Sequence, residues 1–263
     1  MHQEQALRHA RPVSHWTGWG QWLALLTMTI DHMSRHVLPA DHGLEWTQVT
    51  LGRIAFPLFA AMVAWHGLFN TRDPMRYARR ILIIGLAAQI PFMLMPRASD
   101  ALLLNVCFTL SLGLMWGAWL RTLLARYRDD QLAPVALLLA VAGSTLAMFL
   151  AGQWVEYGLY GLMLIPLMML ALYQLHNAAS DPGGRALALL STLPVLFAAG
   201  QLNVSDVAKG FTVATCVLVL LLAAGAARRV PPVAWVMPRK LWLSWYTGHF
   251  ALIAVWLWFV GGL

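Results

Sequence analysis

From about residue 19 to about residue 261 the sequence runs repeatedly for about 18 or more residues with almost no charge, each time long enough to cross a bilayer as a helix. Only 11% of the 263 residues are charged and 60% are hydrophobic, where a soluble domain carries about 25% charged residues. The charge needed to coat a soluble surface is missing. The sequence predicts an all-α fold, a polytopic transmembrane helix bundle of roughly nine spans. They fall at about 19–39, 48–69, 78–96, 103–124, 132–151, 157–175, 186–202, 211–227 and 241–261. Pro91 and Pro96 mark 84–124 as the region where a helix can break. Residues 1–18 form an N-terminal segment and 19–263 a single transmembrane domain. The first apolar stretch has no small-residue cleavage site and is expected to remain as an uncleaved span. Cys107 and Cys216 fall within apolar spans, where no disulfide is expected.

Basic residues orient the bundle. One set of loops holds Arg8, Arg11, Arg72, Arg76, Arg79, Arg80, Arg121, Arg126, Arg128, Arg185, Arg228, Arg229, Arg239 and Lys240. The opposite set holds Arg35, Arg97 and Lys209. The N-terminus is therefore expected in the cytoplasm. The net charge of +7 reports this topology, so no nucleic-acid partner is expected. Membrane lipids are the expected surroundings.

Orientation gives depth, and the ionisable residues share a side. Asp31 and His32, in "LTMTIDHMSRHVLP", lie in the outer half of the first span. Arg53, in "LGRIAFPLFA", lies in the outer half of the second. Asn105 and Thr109 open the fourth span, and Glu156 and Tyr157 stand at the outer mouth of the sixth. His249 enters from the inner half of the last span and can meet them near mid-membrane. Ionisable groups in a membrane usually face a cavity or pair with one another, and they mark functional sites. The residues leave local pairings open. Asp31 can pair with Arg35 at i+4 or with Arg53. His32 and His249 can each bond a neighbouring helix. Pro57 cannot donate to the Arg53 carbonyl, so the second span is expected to kink beside Arg53.

His32 and His36 are four residues apart, but there is no HExxH and no cysteine pair at ligand spacing, so no metal is expected. No Walker loop, no GxGxxG after a strand and no GxSxG elbow is present.

"LGRIAFPLFAAMVAWHG", "RYARRILIIGLAAQIPF", "LNVCFTLSLG", "EYGLYGLMLIPL" and "KLWLSWYTGHFALI" follow the Asp31-His32 segment in the order seen in TraX-like proteins, the F-pilin acetylation family. The chain resembles that family over about 20–260. Its Tyr246-Thr247-Gly248-His249 stands where the family usually shows Tyr-Pro-x-His, and its "EYG" is often "DYG" there. The resemblance implies a multi-pass protein of the bacterial inner membrane, an acyltransferase-like domain. It would move an acetyl group from acetyl-CoA to the amino terminus of a pilin subunit, or to another small amine acceptor, at the outer face. On that reading His32 is the general base and Asp31 its orienter. Arg53 or Asn105 faces the thioester oxygen. Asn105, Thr109, Glu156, Tyr157 and His249 line the substrate, and Arg76, Arg79 and Arg80 hold the CoA phosphates. His32 can also act as an acetylated relay. The alternative is a proton-coupled transporter or flippase with Asp31, His32 and Arg53 as its relay. A third reading is an assembly subunit in which the cluster is structural.

Overall fold

The computed structural model describes residues 14–39, 41–96, 101–178 and 181–260. Arg8, Arg11, Arg97 and most of the predicted segment 1–18 lie outside the described residues. Every regular element among the described residues is helical. In chain order these are α1 (His15–His36), the single turn α2 (Trp46–Val49), α3 (Gly52–Trp65) with a π-helical continuation (His66–Asn70), α4 (Pro74–Met93), α5 (Val106–Arg128) and α6 (Pro134–Ala151). They are followed by α7 (Gly158–His176), α8 (Pro182–Leu190), α9 (Leu193–Gly200), α10 (Asp206–Ala223), a 3-10 turn (Ala226–Arg229) and α11 (Arg239–Phe259).

Among the described residues six stretches are long and apolar enough to cross a membrane: Trp46–Asn70, Val106–Arg128, Pro134–Ala151, Gly158–His176, Pro182–Gly200 and Asp206–Ala223. Each overlaps one predicted span. The other three predicted spans fall on α1, α4 and α11, which have 22, 20 and 21 residues. Length suffices there. Polarity sets them apart: α1 carries Asp31, His32 and Arg35, α4 three arginines and Gln89, and α11 Arg239, Lys240 and His249.

Capping explains where several helices begin. The side chains of Asp73, Asn105, Asp181 and Ser205 accept backbone amides of α4, α5, α8 and α10, satisfying donors that a helix start leaves without partners. Ser205 thereby starts α10 at Asp206, several residues before the apolar run that hydropathy detects. Between α8 and α9, Pro194 has no N–H for the Leu190 carbonyl, and the chain turns at Ser191 and Thr192. Near Arg53 the backbone leaves helical geometry at Thr50 (φ −119°, ψ −90°), ahead of α3. It is then α-helical through Pro57.

Six helices close a ring in the order α1, α3, α7, α5, α4, α11, each packed on the next and α11 back on α1. Helices α9 and α10 back α7 and α3 from outside. Helix α6 leans on α5 and α7 and buries none of its residues. Helices α5 and α7 approach closely at Gly113 and Gly117, which share a face at the spacing that lets membrane helices pack against one another. A Cβ on Gly113 would lie 3.0 Å from the Leu162 carbonyl oxygen, and one on Gly117 3.2 Å from the Pro166 Cα. Backbone atoms of a packed helix cannot step aside. Gly113→Val should therefore lower the melting temperature in detergent, with a cost of about 1–3 kcal/mol. Gly143→Ala, where an added Cβ meets nothing within 4 Å, should leave it unchanged; equal melting of the two variants would contradict this packing.

Candidate functional site

One end of the ring gathers polar side chains from all six of its helices. Helix α1 brings Asp31 and His32, the start of α3 brings Arg53, and the end of α4 brings Gln89. The start of α5 brings Asn105 and Thr109, the entry to α7 brings Glu156 and Tyr157, and α11 brings His249.

Asp31 turns toward α3. Its Oδ1 accepts from Arg35 Nε at 2.9 Å and lies 3.8 Å from a terminal nitrogen of Arg53. Gly52 makes this approach possible, because a Cβ there would run into the Asp31 carboxylate. Arg53 is held from two more directions. Its Nε donates to the Gln48 carbonyl at 2.6 Å, and Nη1 donates to Asn203 Oδ1 at 3.2 Å. Asn203 in turn donates to Thr212 Oγ1 at 2.8 Å.

His32 turns the other way, toward α11. Its Nδ1 lies 2.7 Å from Nε2 of His249, and Nδ1 of His249 lies 2.8 Å from the Trp245 carbonyl oxygen. A carbonyl only accepts, so His249 carries its proton on Nδ1. With both rings neutral, its Nε2 is then an acceptor, and the bridging proton belongs to His32 Nδ1. The chain of bonds therefore fixes the tautomer of His32 and leaves a lone pair on Nε2, which has no hydrogen-bond partner among the described residues. Phe250 packs on both imidazoles, with ring centroids 4.6 Å from His32 and 4.3 Å from His249. Asp31 thus faces the two arginines, and the partner of His32 is His249.

Asn105 is fully buried and fully engaged. Its amide nitrogen donates to the Gly85 carbonyl and to Gln89 Oε1, both at 2.8 Å, and its Oδ1 accepts the Cys107 amide at 3.1 Å. Gln89 also donates to the Leu103 carbonyl at 2.8 Å. These bonds clamp α4 to the start of α5. Thr109, also buried, donates to the Glu156 carbonyl at 2.6 Å. Glu156 belongs to a short extended pairing in which Leu104 and Val155 form an isolated parallel bridge. Tyr157 follows in left-handed geometry (φ +65°), as does Gly158 (φ +55°). A tyrosine rarely adopts that conformation. It stacks on Phe56, with ring centroids 3.9 Å apart.

Arg76, Arg79 and Arg80 lie elsewhere. They are exposed on the first two turns of α4, and Arg76 is 3.6 Å from Asp73. Gln89 comes ten residues after Arg79, about 15 Å along the helix.

Sequence reasoning missed four contributors. Gln89 and Asn203 carry no motif, and only the bundle shows what they hold. Trp245 contributes its backbone carbonyl, which no sequence pattern specifies. Tyr246 stands in the segment compared with the family yet was not singled out as a site residue. Its ring lies 5.7 Å from that of His249, and among the described residues its buried hydroxyl has no acceptor to donate to.

Burial pushes the Glu156 carboxyl up to about 7; the Val106 amide, Arg35 and Arg53 oppose the rise and Asp31 adds to it. The folded chain then keeps a proton that the unfolded chain releases above about 4.5, so stability should fall as pH rises from about 4.5 to about 7. Unfolding in detergent at pH 5 and pH 8 should show wild type losing about 2–3 kcal/mol more than Glu156→Gln over this interval. Parallel pH dependence of the two proteins would overturn that assignment.

A family model described as TraX protein matches residues 20–257, nearly the whole chain. No curated protein and no solved structure matches it.

Proposed function

The chain belongs to the TraX protein family, and from that premise we propose that it is a membrane-embedded acetyltransferase. It moves an acetyl group from cytoplasmic acetyl-CoA to the amino-terminal amine of a pilin subunit at the outer face of the bacterial inner membrane. The observation that carries this reading is the free Nε2 of His32 at the end of the Trp245–His249–His32 chain of hydrogen bonds. Amine acylation needs a base whose lone pair is fixed in direction, and a histidine supplies one suited to neutral pH.

In the proposed reaction the amine nitrogen attacks the thioester carbonyl. The N–C bond forms and the C–S bond breaks. His32 Nε2 takes the proton from the attacking nitrogen and returns it to the departing thiolate. His249 positions His32 and shares the positive charge while it lasts. Two groups suit the oxygen on which negative charge develops. One is Arg53, locked by Gln48 and Asn203; the other is the Tyr246 hydroxyl, which is buried and free to donate. Asp31 acts on Arg53 as the counter-charge that keeps it in place. Thr109, Glu156 and Tyr157 shape the acceptor side. Asn105, its amide occupied by protein partners, supports the site by clamping α4 to α5. Arg76, Arg79 and Arg80 pair with the CoA phosphates, and the acetyl-bearing arm runs along the bundle from there to His32.

The test supplies isotopically labelled acetyl-CoA and a pilin-type peptide with a free amino terminus to the protein in liposomes, and reads the peptide mass. The peptide should gain one acetyl group. His32→Ala should lower the rate by about 10²–10⁴-fold. Arg53→Ala and Tyr246→Phe should each lower kcat, the former by about 10²-fold or more. His249→Ala should lower kcat and displace the pH–rate profile, with KM for the peptide little changed. Full activity in His32→Ala would sink the proposed chemistry.

A further inference from the structure

A cavity lies away from the polar end of the ring, on its outer side, between α5, α6 and α7. It has a volume of ≈ 510 Å³. Its walls are apolar, with Leu120, Leu124, Met163, Leu167 and Leu170 among the side chains. Trp116 and Thr145 stand toward mid-bundle, Arg121 lies about midway along the α5 wall, and Arg128 stands at the far end. Twelve residues of α5 separate Trp116 from Arg128, about 18 Å of helix. The slot is therefore long and runs parallel to the helices. The two arginines are seven residues apart, two turns, and so share one stripe of α5. Both are exposed, and among the described residues neither has a carboxylate within ion-pair distance.

An apolar slot with two unmatched guanidiniums along the far half of its α5 wall suits a particular ligand chemistry. The walls favour a hydrocarbon chain, and the arginines favour a phosphate, whose oxygens fit the planar donor fork. A zwitterionic lipid brings its own ammonium beside the phosphate and leaves no net charge to offset the two cations. Basic pockets between membrane helices are a recurrent way of holding anionic lipid head groups. We propose that the cavity between α5, α6 and α7 is a binding site for an anionic phospholipid, with an acyl chain along the slot and the phosphate on Arg121 and Arg128. Helix α6, which buries none of its own residues, then gains its packing partner from the lipid. The site is separate from the His32 cluster and does not depend on the acetyltransferase reading.

The experiment is native mass spectrometry of the full chain, titrated with phosphatidylglycerol, with phosphatidylethanolamine, and with acetyl-CoA as a competitor. One molecule of phosphatidylglycerol should bind, and phosphatidylethanolamine should bind at least tenfold more weakly. Arg121→Gln/Arg128→Gln should weaken phosphatidylglycerol by about thirty-fold, taking about a fivefold contribution from each charge. Leu167→Trp fills the slot and keeps both arginines, and it should weaken binding as well. A melting curve for each variant shows that it is folded. Arg185→Gln, outside the cavity, should bind as wild type does. Undiminished binding in the double-Gln variant and in Leu167→Trp would overturn the proposal. Equal affinity for the two lipids would do so too. Displacement of the lipid by acetyl-CoA would overturn it in favour of the acetyl donor as occupant.

Discussion

A carboxylate placed in an apolar bundle must find positive partners inside the protein, and Asp31 finds two, on its own helix and on α3. Much of the site follows from that pairing. It draws the start of α3 so close to α1 that residue 52 has no room for a side chain, and it holds Arg53 where Gln48 and Asn203 also reach it. Successive helical residues point about 100° apart. With Asp31 committed to α3, His32 is aimed at the helix on the other flank of α1, which is α11. The Asp-His pair is thus a clamp working in two directions, and it holds α1 between its two neighbours in the ring.

Hydropathy made the class of fold legible and placed six apolar helices within a few residues. It is a one-dimensional quantity, however, and it says least about α1, α4 and α11, whose apolar runs are interrupted by polar residues such as His32 and His249, which meet across the bundle. Helix α11 packs on both of the others. The concentration of ionisable residues toward one end was also legible, because depth follows from the order of spans. Partnership was not. Adjacency in sequence suggests that Asp31 serves His32, but helical geometry separates neighbours, and the ring supplies His249 from 217 residues away. Asn105 shows the same limit from the other side. A buried asparagine beside a cluster reads as a ligand-facing amide, whereas cap geometry and Gln89 take up its donors and its acceptor.

The polar end of the ring also contains several departures from regular helix. The extended pairing of Leu104 with Val155, the break at Thr50 and the left-handed Tyr157–Gly158 step all lie there. Irregular backbone survives at membrane depth only where protein or water satisfies it. Here the satisfaction is internal: Leu104 and Glu156 exchange amides with neighbouring carbonyls, and Thr109 covers the Glu156 carbonyl. The same short pieces of chain that break the helices bring Glu156 and Tyr157 inward.

The direction of the two-histidine chain has a bioenergetic meaning. A proton arriving on His32 can be passed to His249, but the next group is the Trp245 carbonyl, which is no base and has nothing further to hand on. The path is a cul-de-sac, and the proton must leave by the door through which it entered. A shuttle open at both ends would short-circuit any membrane across which protons are held apart. This one can lend and recover a proton on one side without becoming a wire.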